Sequence, residues 1–207
     1  MERRGWGLVV VASVALGLMA LVSNLTTVSQ LSGEADVLLA VRSTISKLAN
    51  AGAVWAGLPV LAGWLVRRPA QAAAAGVVAA LSALVVHYGS GVLLGLLDSS
   101  VWAENQYWFG LSAVIGGPLG LVGAAARRRD SWGLLARLVV PLGAIAEPFF
   151  LRMFSTSVAM PWPGRVSSAV AGVVLLAAGV AGVVALANRH RRGASQGAGW
   201  VGQGRRR

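Results

Sequence analysis

The feature that most constrains this chain is a succession of long apolar segments joined by short basic connections. Hydrophobic residues make up 56% of its 207 residues, and charged residues only 12%. A soluble domain of this length cannot bury so much apolar surface, because its exterior must be wetted. An α-helix of roughly 20 apolar residues, by contrast, crosses the hydrocarbon of a bilayer. We therefore predict an all-α, polytopic, multi-pass protein of the cell membrane whose outer surface contacts lipid.

Six segments are long enough to cross a bilayer. The predicted spans are 6–25, 48–66, 70–97, 107–126, 132–154 and 166–187. Together they form a single transmembrane helical domain over residues 1–192, and the basic, Gly-rich segment 193–207 is predicted to be a disordered tail. Residues 36–48 place most of their apolar side chains on one helical face, which favours an interfacial helix over a solvated loop.

The arginine and lysine residues indicate the orientation of the spans. Alternate connections hold 13 of them on one side of the membrane and 4 on the other, with Arg137 inside the fifth span. The smaller set comprises Arg42, Lys47, Arg152 and Arg165. Because basic connections stay in the cytoplasm, both termini are predicted to be cytoplasmic. The basic clusters flank spans, so the net charge of +11 does not predict nucleic-acid binding.

Three acidic residues are candidates for chemistry at the outer side. Glu147 lies within the fifth span, and an ionisable group inside a membrane is a functional-site hypothesis by default. The alternative is a structural role, either paired with Arg152 or hydrogen-bonded to backbone freed by Pro148. Asp98 and Glu104 lie in a connection that also concentrates amides and aromatic rings.

Aromatic residues are concentrated in the predicted outer half. An interfacial belt is expected in any membrane protein, but it does not explain rings deep within spans. We predict an outer cavity lined by rings, with a histidine and an asparagine entering from neighbouring spans; the alternative is tight helix packing. The predicted substrate-binding residues are Trp55, Tyr88, Tyr107, Trp108, Phe149, His87 and Asn50.

Several classes of site are excluded by missing residues or motifs. The chain contains no cysteine, P-loop, dinucleotide fingerprint or Asp-rich diphosphate motif. His87 and His190 are predicted on opposite sides, so no metal site is expected. No cofactor is predicted. The glycine pairs 91/95 and 116/120 have the four-residue spacing of closely packed membrane helices.

In size, span number, cysteine-free Ala/Gly/Val/Leu/Arg-rich composition and its intramembrane acid, residues 6–187 resemble small actinobacterial membrane proteins. Among these, the chain looks most like the membrane-bound terpene cyclases of bacterial indole sesquiterpenoid (drimentine-type) biosynthesis, although no single motif carries the likeness. The resemblance implies metal-free, proton-initiated (class II-like) cyclisation of a hydrophobic prenyl chain on an indole-type substrate. Glu104 and Glu147 would then be acid and base, with Asp98 as the next candidate, and the rings would stabilise a carbocation.

Two other functions fit the same residues. A transporter or channel for a small amphipathic or cationic molecule would use the acids as binding groups. Helices interrupted near Pro59, Pro118, Pro141 and Pro148 support this alternative. A scaffold subunit or a homo-oligomer would instead pair the acids at a protein interface. A cavity closed toward the cytoplasm favours the enzyme, whereas a path to both sides favours transport.

Overall fold

The computed structural model describes residues 2–66, 68–155 and 160–203, with side chains described from residue 4 to residue 189 except residue 31. Most of the described residues lie in helices, and none of them lies in a strand. The helices are α1 (Glu2–Asn24), α2 (Val28–Leu31), α3 (Asp36–Ala49), α4 (Gly52–Leu65), α5 (Pro69–Leu93), α6 (Val101–Glu104), α7 (Gln106–Ala125), α8 (Ser131–Phe150) and α9 (Trp162–Gln203).

Within the described residues, six segments are long and apolar enough to cross a membrane, so the predicted all-α polytopic fold is confirmed. We call the end of the bundle near residues 66, 68–69, 126–130 and 189 the arginine-rich end. The end near residues 24–36, 94–105, 151–155 and 160–161 is the arginine-poor end. That the arginine-rich end faces the cytoplasm stays a prediction from the charge count. Residue 67 and residues 204–207, which entered that count and the predicted tail, lie outside the described residues.

The second candidate span is divided into two helices. Its apolar segment runs from Asp36 to Leu65. However, α3 ends at Ala49 and α4 begins at Gly52, with Ala51 between them in an extended conformation. The predicted start of this span at Leu48 therefore lies in the last turn of α3. The predicted change from an interfacial helix (36–48) to a span (48–66) therefore falls two residues before the observed break at Asn50 and Ala51.

The residues of the predicted interfacial helix form α3, whose side chains hydrogen-bond to the ends of neighbouring helices. Arg42 donates to the carbonyl oxygen of Ser23, at the end of α1 (3.0 Å). Lys47 Nζ donates to Ser167 Oγ, near the start of α9 (2.9 Å). Trp162 Nε1 donates to the Asp36 carboxylate (2.9 Å). These bonds place α3 across the arginine-poor end of the bundle, where its charged side chains are expected.

The interior of the bundle is built on glycine contacts between α4, α5 and α7. A Cβ at Gly63 would overlap the carbonyl of Gly120, and one at Gly76 would overlap the carbonyl of Gly116. A Cβ at Gly123 would overlap the carbonyl of Val60. The three helix backbones are therefore in contact, as the 116/120 spacing predicted.

The glycine pair 91/95 has a different role from the one its spacing predicts. Gly91 packs closely against Leu97 and Leu21, but nothing lies within 4 Å of a Cβ at Gly95. Gly95 has a φ of 67°, and the next residue, Leu96, donates its N–H to the carbonyl of Gly91 (2.8 Å). This is the left-handed turn that ends many helices. It ends α5 at Leu93, four residues before the predicted end of the span.

Arginines at the arginine-rich end bind free carbonyls at helix C-termini. Arg127 Nη1 donates to the carbonyl of Trp64 in the last turn of α4 (2.6 Å), and its guanidinium lies 5.4 Å from the Trp64 ring centroid. Arg137, on α8, donates through Nε to the carbonyl of Ala126 (2.6 Å) and through Nη2 to that of Arg128. These carbonyls lack intrahelical partners, so the arginines stabilise the ends of α4 and α7.

The last helix extends beyond its predicted span. α9 continues to Gln203, whereas the apolar part of the sequence ends near residue 187. The helix thus enters the segment 193–207 that composition predicts to be a disordered tail, and its end does not coincide with the predicted domain boundary at residue 192.

Candidate functional site

Glu147 caps the N-terminus of another helix. Its Oε1 accepts the backbone N–H of Gly52 (2.7 Å), and its Oε2 accepts that of Ala53 (2.8 Å). Both N–H groups belong to the first turn of α4, where no intrahelical acceptor is available. The residue before the helix is Ala51, which carries no capping side chain. A carboxylate from α8 therefore takes the place of a local cap, and it also interacts favourably with the helix dipole.

These partners differ from both structural alternatives that the sequence suggested for Glu147. Its carboxylate oxygens bind the backbone of α4 rather than Arg152 or the α8 backbone near Pro148. Arg152 is exposed, with a φ of 50°, and it forms the turn that ends α8. Pro148 is almost fully buried. The sequence could not indicate the true partners, because backbone N–H groups have no side-chain signature.

A pocket of about 290 Å³ lies at the break between α3 and α4, and we call it the α3–α4 pocket. Its lining residues come from α3, from the break itself, and from α8, the turn after α8 and α9. They are Lys47, Asn50, Ala51, Glu147, Leu151, Met153 and Ser168. The pocket thus combines a cation, a carboxylate, an amide and a hydroxyl with apolar side chains, which suits an amphipathic ligand.

The polar side chains of this pocket are held by neighbouring helices. Lys47 Nζ donates to Ser167 Oγ, the residue before Ser168 on α9 (2.9 Å). Asn50 Nδ2 donates to Asn24 Oδ1 (3.1 Å) and to the carbonyl of Ser46 (2.9 Å). Since Lys47, Asn50 and Glu147 each have a partner, these three side chains are ordered before any ligand binds.

Two of the predicted site residues, Glu147 and Asn50, come together in this pocket, and its other two polar lining residues, Lys47 and Ser168, were not predicted. Lys47 enters the sequence analysis only through the charge count, and Ser168 lies in the sixth predicted span. The spacing of Lys47 and Asn50, three residues apart on one helix, was a usable signal. Nothing in the sequence indicates that Ser168 would face them, because that depends on the packing of α3 against α9.

Three other predicted residues, Trp55, His87 and Tyr88, form a cluster of rings that pack edge to face. The ring centroids of Trp55 and His87 are 6.5 Å apart, and those of His87 and Tyr88 are 4.8 Å apart. His87 is buried, with Nδ1 3.3 Å from the carbonyl oxygen of Gly17. The Tyr88 hydroxyl donates to Asn105 Oδ1 (2.9 Å). These rings pack edge to face against one another and do not line the α3–α4 pocket, an arrangement that is typical of the tight-packing alternative.

The remaining predicted rings face outward. Tyr107 is 68% exposed, Trp108 51% and Phe149 59%. The structure therefore does not bring the predicted aromatic residues into one cavity. Composition and depth could place these rings near one surface of the membrane, but which side of a helix they occupy depends on its neighbours.

The other two predicted acids lie in the connection between α5 and α7. Asp98 and Glu104 are both exposed. Asp98 Oδ1 accepts the backbone N–H of Ser100 (2.8 Å), and this bond, with one from the Ser100 hydroxyl, lowers the pKa of Asp98. Glu147 binds α4 instead, in a pocket built from other elements. The three acids therefore do not converge on one site in this structure.

No protein-family model, curated protein or solved structure matches this chain. The geometry of the pocket is therefore the basis of the proposal below.

Proposed function

We propose that this protein binds a small amphipathic molecule in the α3–α4 pocket and carries it across the membrane. The observation that carries the proposal is the helix break itself, with four polar side chains around it. Helices interrupted within the membrane, with their ends meeting at polar groups, are a recurrent design of transporter binding sites.

The length of α4 supports a position of the break inside the hydrocarbon. A helix of 14 residues is about 21 Å long, whereas the hydrocarbon layer is about 30 Å thick. Arg127 binds the C-terminal end of α4 at the arginine-rich end. If that end lies at the membrane surface, the start of α4 lies inside the opposite edge of the hydrocarbon, just below Asn24 at the end of α1, to which Asn50 is hydrogen-bonded. Charged side chains at such a depth are costly, and they usually mark a binding site or a transport path.

The pocket lies at one end of the bundle. All of its lining residues lie at the arginine-poor end. Toward the other end, α8 and α9 are in close contact, since a Cβ at Gly179 would overlap the carbonyl of Pro141. An alternating-access transporter adopts two states, and in each state its binding site is open to one side of the membrane. The present arrangement fits the state that is open to the arginine-poor side.

The transport proposal can be tested in liposomes containing the purified protein. Uptake of labelled amphipathic cations, zwitterions and anions should be measured separately. Leu151→Trp should fill the pocket and reduce uptake by about tenfold or more. Phe150→Trp is the matched control, because Phe150 is 84% exposed and does not line the pocket.

The outcome also separates transport from simple binding. If no class of solute enters the liposomes but ligands stabilise the wild type and not Leu151→Trp, the protein binds without transporting. If neither uptake nor stabilisation occurs with any class, the pocket is not a binding site.

The cyclase implied by the resemblance stays a separate prediction with less geometric support. A proton-initiated cyclase needs an acid and a base near one substrate. Here both oxygens of Glu147 bind α4, and Glu104 lies on a different connection. The purified protein should be incubated with a farnesylated indole diketopiperazine in the presence of EDTA. Cyclised isomers of unchanged mass would establish the enzyme in place of the transporter.

A further inference from the structure

A second, entirely apolar concavity lies between α1 and α4. This α1–α4 groove has a volume of about 330 Å³. Its lining residues are Ala12, Ala15, Leu16, Met19, Val54, Gly57, Leu58 and Leu61. Met19 is 48% exposed and Leu61 43%, so the groove opens sideways, toward the lipid. A hydrocarbon chain is the chemistry that such a surface accepts.

The groove leads to the α3–α4 pocket. Along α1 it runs from Ala12 to Met19, and along α4 from Leu61 to Val54, so both walls lead toward the arginine-poor end. Just beyond that end, Asn50 donates a hydrogen bond to Asn24 Oδ1 (3.1 Å). Asn50 is itself a lining residue of the pocket. The polar pocket therefore lies at the end of the apolar groove, with the two asparagines between them.

The pocket also contains one charge of each sign with unused hydrogen-bonding capacity. An ammonium group has three donors, and Lys47 directs one of them to Ser167. The others are available to a phosphate or carboxylate. Each oxygen of Glu147 accepts one backbone N–H, and a carboxylate oxygen has a second acceptor site for an ammonium group. A cationic and an anionic side chain in one pocket complement a ligand that carries both charges.

We propose that the ligand is a zwitterionic, single-chain lipid, with its head group in the α3–α4 pocket and its chain in the α1–α4 groove. This inference rests on the proposed function, because it assigns a chemical class to the ligand of the same pocket. Lysophosphatidylethanolamine has the required parts: a phosphate, a primary amine and one acyl chain. Phosphoethanolamine has the same charges without the chain, and lysophosphatidic acid has the phosphate and chain without the amine.

The three compounds can be compared by their dissociation constants for the purified protein in detergent. Lysophosphatidylethanolamine should bind at least about tenfold more tightly than phosphoethanolamine, because several methylene groups leave water. It should also bind at least about tenfold more tightly than lysophosphatidic acid, which leaves Glu147 without a cationic partner.

Two substitutions on α1 test the groove. Ala15 lines the groove and is exposed, so Ala15→Trp can fill it without disturbing the core. It should weaken lysophosphatidylethanolamine about tenfold or more and leave phosphoethanolamine unchanged. Val10→Trp is the matched control, since Val10 is 53% exposed, does not line the groove, and lies about 140° around the helix from Ala15. It should change neither affinity.

Failure of this inference is distinguishable from failure of the proposed function. If phosphoethanolamine binds as tightly as the lipid, or Ala15→Trp has no effect on the lipid, the groove holds no chain. If lysophosphatidic acid binds as tightly as lysophosphatidylethanolamine, the ligand is not selected as a zwitterion. Either result overturns this inference, but a Leu151→Trp variant that loses ligand binding would still support the pocket. If none of the three compounds binds a folded wild type, the lipid is wrong, and the solute classes above decide whether the pocket stands.

Discussion

Replacement of Glu147 by alanine removes the acceptor for two N–H groups at the start of α4. The bond to Ala53 is part-buried and 2.8 Å long, and hydrogen bonds to charged groups are worth about 1.5–3 kcal/mol. The bond to Gly52 is exposed, so water can replace it, and loss of such a helix cap costs about 1 kcal/mol. We therefore expect Glu147→Ala to lower the free energy of unfolding by about 2–4 kcal/mol.

The glutamine variant distinguishes capping from other roles of Glu147. Glu147→Gln keeps the shape and one carbonyl oxygen, but its amide nitrogen would face an N–H donor. About half of the loss seen with alanine is expected, roughly 1–2 kcal/mol. Glu104→Gln is the control, because Glu104 is exposed on α6 and should change stability by less than about 0.5 kcal/mol.

Stability can be followed by tryptophan fluorescence during thermal or denaturant unfolding in detergent, since the chain has 8 tryptophans. Wild type and variants should be compared at one detergent concentration. If Glu147→Ala is as stable as Glu104→Gln, the hydrogen bonds to α4 do not hold the helix and the capping argument is wrong. If Glu147→Gln keeps full stability but abolishes uptake, Glu147 acts on the solute rather than on α4.

Three further stability effects and one topology result are expected. Since the chain has no native cysteine, a cysteine introduced by Val101→Cys can be labelled selectively. A membrane-impermeant reagent should label it in intact cells. Labelling only after lysis would mean that the predicted orientation is reversed. Gly123→Ala should lower the free energy of unfolding by about 1–3 kcal/mol through overlap with α4, whereas Gly110→Ala, with nothing within 4 Å, should not destabilise α7. Arg152→Gly should raise the free energy of unfolding by about 1 kcal/mol, because glycine adopts the φ of 50° found at this position without steric strain. Unchanged thermal stability would contradict this expectation. The pKa of Asp130 is lowered by the adjacent arginine and by the N–H that it caps on α8, so its stabilising contribution is present above the ordinary value of 3.8 and is lost as the pH falls through the lower folded pKa. Unfolding midpoints measured from pH 5 downward should fall more steeply for the wild type than for Asp130→Asn; equal slopes would contradict this.

The spans were predictable because apolar length alone decides whether a helix crosses a membrane. The prediction for α7, residues 107–126, differs by one residue at each end from Gln106–Ala125. The errors occur where another requirement intervenes. α5 ends early because Gly95 adopts a left-handed turn. The second span was predicted from residue 48, but its helix begins at Gly52, where a carboxylate from another helix makes the helix start favourable.

The candidate site was less predictable than the fold. Glu147 could be found, since a carboxylate within an apolar segment is visible in the sequence. Its partners could not be found, because they are backbone groups from a distant part of the chain. Likewise, the depth of Tyr107 and Trp108 followed from their positions, but their outward direction depends on how α7 packs. The charge count used Lys47 for topology alone, because its position in the lining of a pocket depends on how α3 packs against α9.

The cap on α4 also has a consequence for membrane insertion. Gly52 and Glu147 are 95 residues apart in the chain. At about 5–20 residues per second, a ribosome needs roughly 5–20 seconds to synthesise the intervening segment. During that interval the first N–H groups of α4 have no carboxylate to bind, and unpaired N–H groups are poorly tolerated in hydrocarbon. The α4 segment is therefore expected to stay near water or the insertion machinery until α8 arrives. A nascent chain that stops before residue 147 should leave α4 shallower in the membrane than it is in the finished protein.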